Sequence, residues 1–383
     1  MGKVMFYIKQ PVEQRKQYKE MLGIIGKLTR LFSDNTCPYL PYRVQENVFC
    51  KYFLAENISR SDCSADAKKD RIGIGLKTWM GNDDQKIAEF DSLREKLSVL
   101  SGLELAKKVS EFRNERIRIT KNLHGVEELI YHIVKRIPHA MQILEHSFEY
   151  IDVENISLIE NRGNINNVYF TDRKHVYHFS LSKNTLYMIF DQMVLLDSFE
   201  VEILEDPYAF LMGLSNDFAS PTTTNEVLDF SNKVCLRLYS VKSNGEKFVA
   251  KQSGLNQWNA KGRRRDPNEI YIPFPSEDRK RYKGFFPNRD QPFTLHLPDG
   301  KTISAKVCQQ DSKAIMSNPN KVLGEWLLRK VFELPEWKIV TYEMLEVFGI
   351  DSVIFTKLDE LEYSVDFAEL GTYEKFVSNQ NDE

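Results

Sequence analysis

No apolar run in this chain approaches the roughly 18 residues that a membrane-spanning helix needs. The opening residues, Met-Gly-Lys-Val-Met-Phe-Tyr, lack the apolar stretch of a secretion signal. Cysteine is scarce. The five residues (Cys37, Cys50, Cys63, Cys235, Cys308) are scattered among 383 and form no CxxC pair. That argues against a disulfide framework or a thiolate zinc site and fits a reducing compartment. An excess of either charge is missing too: 52 Lys and Arg against 55 Asp and Glu leave −3. A nonspecific coat for a polyanion would be strongly basic, so any such binding has to be local. Repeats and low-complexity tracts are lacking as well. The expectation is a soluble, cytoplasmic protein.

What is present supports packed cores. Hydrophobic residues make up 42% of the chain, with 24 Phe, and the length suits two or three domains. Helical spacing of apolar residues predicts helices over Gln14–Phe32, Tyr42–Glu56 and Gln85 to about Phe112. Alternation predicts strands over Arg71–Met80 and Glu115–Thr120, the latter from Ile117 and Ile119 against Arg116 and Arg118. From Ile156 to Leu181 short strands are expected, turning at Thr171-Asp172-Arg173-Lys174. Ser182 is placed to cap a helix over Asn184–Phe190. The polar, Thr-rich stretch Asn216–Asn225 reads as a linker. Beyond it strands return, with Ser243-Asn244-Gly245 as a hairpin turn. This gives a mixed sheet with helices over 1–225, in which 155–225 form a hairpin-rich extension, and a mostly β domain over 226–383.

The densest local chemistry lies at Ser253–Arg265, Ser-Gly-Leu-Asn-Gln-Trp-Asn-Ala-Lys-Gly-Arg-Arg-Arg. Asn256, Gln257 and Asn259 carry amides that can read adenine in a bidentate pair, and Arg263, Arg264 and Arg265 can do the same for guanine. Lys261 suits a phosphate, which positions without specifying. Between Lys261 and Lys283 there are eight Lys or Arg against four Asp or Glu. Loop amides are otherwise turn formers, and Trp258 is equally suited to anchoring the loop in a core. A second polar segment runs from Lys313 to Lys321 and includes Met316, Ser317, Asn318 and Asn320. Its Ser-Asn-Pro-Asn would cap the helix that follows, and that helix start suits a phosphate.

These blocks carry a resemblance. From about Val234 to Phe367 the chain resembles the C-terminal recognition domain of NgoFVII-type restriction endonucleases. The match rests on Gly254-Leu255-Asn256-Gln257-Trp258-Asn259-Ala260, Tyr271-Ile272-Pro273, Leu295-His296-Leu297-Pro298-Asp299-Gly300 and Met316-Ser317-Asn318-Pro319-Asn320-Lys321. It covers about a third of the chain. The domain is similar to the DNA-binding pseudobarrel of the EcoRII and BfiI specificity domains and of plant B-three transcription factors. The resemblance implies double-stranded DNA as partner, with Ser253–Arg265 as one arm in the major groove and Lys313–Lys321 as the other. It also implies a cognate DNA methyltransferase that protects the host.

NgoFVII-type enzymes pair this domain with a phospholipase-D-like half that needs His-x-Lys, and none of the seven His here has Lys two positions later. The first half instead resembles the PD-(D/E)xK nuclease core, an α/β fold. Asp62 and Asp66 precede the Arg71–Met80 strand, Lys77 lies on it, and Glu46 sits on the preceding helix. The resemblance implies Mg²⁺ held by Asp66 and Glu46, with Lys77 orienting or deprotonating the attacking water. One position departs: where the family places an acid two residues before the Lys, this chain has Gly75. Glu46, Glu89 or Gln85 could stand in. His175 and His178 read as hairpin residues. The expected function is a type II restriction endonuclease, with a non-catalytic DNA-binding protein as the alternative.

Overall fold

The computed structural model describes residues 5–59, 63–81, 84–164, 166–215 and 232–381. Asp62 and the Asn216–Asn225 linker lie outside them. Two compact units form: residues 1–59, 64–114 and 126–225 in the first, and 60–63, 115–125 and 226–383 in the second. No helix among the described residues is long and apolar enough to cross a membrane.

The first unit begins with helices α1 (Val12–Lys27) and α2 (Tyr42–Phe53). Strands β1 (Glu56–Asn57), β2 (Ala67–Lys69), β3 (Ile72–Trp79) and β4 (Asp84–Glu89) follow, then the short α3 (Arg94–Ser98) and the long α4 (Gly102–His124). Next come β5 (Glu128–Ile137), β6 (Ala140–Ser147), β7 (Ser157–Asn164), β8 (Asn167–Thr171), β9 (Val176–Ser180), β10 (Thr185–Ile189) and β11 (Val194–Glu200), closed by α5 (Pro207–Ser215). Two sheets result. A six-stranded one runs β1-β2-β3-β5-β6-β11, and a five-stranded antiparallel one runs β4-β10-β9-β8-β7. Within the first, β3 and β5 are parallel, so α4 lies in the crossover that parallel pairing requires.

Period two divides β3 by face. Ile74 and Leu76 join Ile130, Val134, Met141 and Ile143 against Tyr18, Leu22, Phe49 and Phe53 of α1 and α2, forming the core. Gly73, Gly75, Lys77 and Trp79 face the other way.

Three sequence expectations are corrected. Glu115–Thr120 is helical: the burial of Val109, Phe112, Arg113, Arg116, Ile117, Thr120 and Leu123 follows the helical period, and the short alternation sits inside it. Gln85–Glu89 is strand β4, paired along β10, so tertiary pairing overrides local helix preference. Asn184–Phe190 holds strand β10 (Thr185–Ile189) and no helix. Asn184 takes φ +50°, outside the helical region, and Leu186 and Met188 alternate inward. The hairpin turning at residues 171–174 and the strand over 72–79 are as expected.

The second unit contains the last part of α4, whose Ile119 and Leu123 belong to its core. Its strands are β12 (Lys233–Arg237), β13 (Ser240–Val241), β14 (Lys247–Phe248), β15 (Ile272–Pro273), β16 (Pro292–His296), β17 (Thr302–Cys308), β18 (Ala314–Ser317), β19 (Ile350–Asp359) and β20 (Glu362–Glu369). Helices α6 (Ser276–Arg281), α7 (Val322–Gly324, continued as a wider turn over Glu325–Val331), α8 (Tyr342–Phe348) and α9 (Thr372–Asn381) surround them. The seven-stranded order is β12-β19-β20-β16-β17-β18-β15, all antiparallel except β16 with β20. The outer strands β12 and β15 approach each other, so the sheet is a nearly closed barrel. Inward residues Leu236, Phe293, Leu295, Val307, Val353, Phe355 and Phe367 fill it. The Ser243–Gly245 hairpin forms between β13 and β14 as expected.

Candidate DNA-binding cleft and nuclease-like site

In the second unit the two polar segments line one open cleft of about 800 Å³. Ser253, Gln257, Arg263 and Arg265 come from one side, and Lys313, Met316, Ser317, Asn318 and Asn320 from the other. Lys306 and Gln309, which sequence reasoning missed, also line it. Both lie on or beside β17, and a lone Lys on an alternating strand gives no signal of its own. The two arms are 48 residues apart at their nearest lining positions, Arg265 and Lys313. Pairing of β15 with β18 brings them together.

Within the first arm, burial sorts the residues. Gly254–Asn259 forms two tight helical turns that start at Gly254, whose φ of +58° suits a residue without a side chain. Asn256 is fully buried: its Nδ2 donates to the carbonyls of Ala250 (3.1 Å) and Val340 (2.9 Å), and its Oδ1 accepts from Val340 N–H (2.9 Å). Its amide is therefore spent on holding the arm to the barrel. Trp258 is a core anchor, packed edge-on against Trp337. Asn259 donates to the Lys251 carbonyl at 2.9 Å. The Arg265 guanidinium donates to the carbonyls of Ala260, Lys261 and Arg263, and it lies 3.4 Å from buried Glu269. Arg263 pairs with the same carboxylate. Gln257, Lys261 and Arg264 are different: their side chains make no hydrogen bond or ion pair among the described residues. Lys261 and Arg264 are exposed, and Gln257 is half-buried in the cleft wall.

The second arm divides likewise. Ser317 is buried and its Oγ accepts from Leu323 N–H at 2.9 Å, which satisfies a donor in the first turn of α7 from outside the cap position held by Lys321. Met316 is buried under the arm. Lys321 pairs with Glu325 at 3.0 Å. Lys313, Asn318 and Asn320 are exposed, and their side chains have no partner among the described residues.

The first unit assembles the other set. Asp66, just before β2, accepts the Leu76 N–H at 2.7 Å, which sets its carboxylate against β3. Burial pushes its pKa up, while the nearby Lys77 ammonium and the Leu76 N–H pull it back. Glu46 on α2 is raised by burial and by the charge of Asp66, and its bonds to Arg43 (2.9 Å) and Ser59 (3.2 Å) oppose this. Lys77 is shifted down by burial, against the pull of Asp66. Its carbonyl accepts from buried Gln45 at 2.9 Å, and its ammonium stands 6.0 Å above the Tyr131 ring. Asp66, Glu46 and Lys77 are thus near enough to perturb one another. Gln85 and Glu89 lie on β4, where Gln85 pairs with Met188 in register and Glu89 pairs with Lys86 at 2.7 Å.

Gly75 has a physical reason. A Cβ there would stand 2.7 Å from the Tyr131 ring and 3.1 Å from Phe148. Tyr131 stacks flat on Phe148 at 4.1 Å, and its hydroxyl accepts from Arg113 at 2.6 Å. An aromatic ring fills the space where the PD-(D/E)xK resemblance leads one to expect an acid.

His146, His175 and Asp191 also converge, offering ligand atoms within 4.8 Å of one another. The two His stand 29 positions apart, so no sequence spacing announces this.

No curated protein matches the chain. Residues 230–359 match the family model of the NgoFVII C-terminal B3-like DNA-binding domain. That span holds both arms and most of the barrel, so the second unit carries a DNA-binding domain of the restriction-enzyme kind, with double-stranded DNA as its partner and sequence-specific binding as its task.

Proposed function

We propose that this protein is a type II restriction endonuclease that reads a short DNA sequence with the second unit and cuts with the first. The observation that carries the reading is the convergence of Asp66, Glu46 and Lys77 beside a β3–α4–β5 crossover, in a chain whose other unit is a restriction-type DNA-binding domain. The donor set suits Mg²⁺: a buried carboxylate (Glu46) and a half-buried one (Asp66), the second raising the pKa of the first, are relieved by a hard cation with oxygen ligands. Bound there, Mg²⁺ would supply charge stabilisation at the phosphodiester and acidify a water. Asp66 and Glu46 would hold it. Lys77, with its ammonium pKa pushed down, can give up its proton near neutral pH more readily than an exposed lysine and so orient or deprotonate the attacking water. Gln45 fixes the Lys77 backbone.

Gln257, Asn318 and Asn320 in the cleft, with exposed Arg264 on the same arm as Gln257, are the side chains most available to base edges, and Lys313 in the cleft and exposed Lys261 to phosphates. Arg265, Asn256, Trp258 and Ser317 act as the frame. A DNA methyltransferase with the same target would be the functional partner.

Gly75 favours a second reading, a sequence-specific DNA-binding protein whose nuclease half lacks the second acid. Plasmid DNA and Mg²⁺ separate the two. Discrete fragments support the endonuclease, and a shifted but intact plasmid supports the binding protein.

A further inference from the structure

We infer that the first unit binds one divalent transition-metal ion through His146, His175 and Asp191, and that this ion clamps its two sheets together. The three residues come from different places: His146 from β6 of the six-stranded sheet, His175 from the turn entering β9, and Asp191 from the connection between β10 and β11. The ion would therefore tie one sheet to the other at a point where side chains, not backbone pairing, hold them.

Three observations support it. The ligand atoms already lie within 4.8 Å of one another. Ligands about 2.1 Å from a shared ion sit at most roughly 4.2 Å apart, so a small movement of exposed Asp191 closes the set. Second, His146 Nδ1 lies 2.8 Å from the Ser147 carbonyl. A carbonyl accepts only from N–H, so in the neutral ring the proton is on Nδ1 and Nε2 carries the lone pair. This is the usual way a backbone carbonyl sets the tautomer of a metal-binding imidazole. Third, Nδ1 of His175 is buried without a hydrogen-bond partner. Such an orphan is costly unless something satisfies it. The His146 ring stands 5.1 Å from that of His175 and packs edge-on against Phe190, which limits its rotation. Two imidazoles with one carboxylate suit Zn²⁺, Co²⁺ or Mn²⁺ better than Mg²⁺ or Ca²⁺, which prefer all-oxygen shells.

The test uses the full chain, stripped with a chelator and titrated with Zn²⁺ by calorimetry and with Co²⁺ by visible absorption. With Mg²⁺ kept in excess to occupy the Asp66–Glu46 pair, one equivalent of either ion is expected, with a rise in melting temperature on loading. His175→Ala and Asp191→Ala each alter a residue that is not fully buried, so both variants should fold. Each should weaken uptake at least ~10-fold and abolish the thermal shift. Asp66→Ala should leave both unchanged. Wild-type affinity in His175→Ala, no uptake by the wild type, or loss of uptake in Asp66→Ala would each overturn the assignment. So would strong near-ultraviolet thiolate bands in the Co²⁺ form, which place the ion on cysteine.

Discussion

The two units build their sites in opposite ways. The cleft of the second unit is made from two short stretches of loop, and its available groups stand on the outside of a barrel that is complete without them. The acidic site of the first unit is made from single residues on α2, before β2 and on β3, half-sunk in the protein, each altering the ionisation of its neighbours. A surface loop can exchange side chains with little effect on the fold. A buried carboxylate and lysine cannot be altered without changing local charge balance.

Cutting is where the contrast should be largest. Lys77→Ala should lower plasmid cleavage by about 10²–10⁴-fold, the usual worth of a general base. Asp66→Ala should cost at least as much, while gel-shift affinity for specific DNA stays within ~3-fold in both. Intact cleavage by Asp66→Ala would remove the acidic site from the proposal. The same groups set the pH response. Asp66 and Glu46 hold their protons to higher pH than ordinary carboxylates, and a protonated carboxylate does not hold Mg²⁺. Lys77 becomes neutral at lower pH than an ordinary lysine. Both directions make cleavage rise from mildly acidic to mildly alkaline conditions, as a rate profile at constant ionic strength would show.

Asn256 sharpens the comparison from the other side. Its place among the reading amides made it a candidate for base contact, yet its side chain is enclosed. Asn256→Ala should therefore lower unfolding free energy by about 2–4 kcal/mol, since it leaves buried backbone groups of Val340 unpaired. The variant molecules that remain folded should show unchanged base preference in a binding-site selection. Relaxed specificity at full stability would return Asn256 to the interface.

Gly75→Ala should cost about 1–3 kcal/mol through overpacking against Tyr131, read by chemical denaturation. No measurable destabilisation would mean that the ring yields easily and that an acid could be accommodated there. The smallest effects belong to Lys261→Ala and Arg264→Ala. A pure phosphate contact lowers the slope of log affinity against log salt by about one. Lys261→Ala should do this for every sequence alike, whereas Arg264→Ala should also relax preference at one base pair if it reads guanine.

The legibility of each region follows from how local its interactions are. The Arg265 neighbourhood was visible because its chemistry is contiguous in sequence, and the 72–79 strand because alternation survives in a core strand. What stayed hidden was set by distant partners. Gln85–Glu89 becomes a strand because β10 lies alongside it, and Ile117 and Ile119 alternate for a few residues inside a helix 23 residues long. Which amide in the first arm is buried depended on Val340, 84 residues away. The acid missing at Gly75 was plain in the sequence, but its cause, the Tyr131 ring, required the pairing of β3 with β5. His146 and His175 were separately visible and jointly unreadable.

Arg265 carries one more consequence. An isolated thirteen-residue loop would have to be frozen on contact with DNA, at roughly 1–2 kcal/mol of backbone entropy per residue fixed. Three carbonyl bonds and the buried Glu269 charge have already confined much of that freedom before any ligand arrives. The entropic toll is then met during folding, not at recognition. A jaw set in advance loses less on closing, and the gain appears as slower dissociation of the correct sequence.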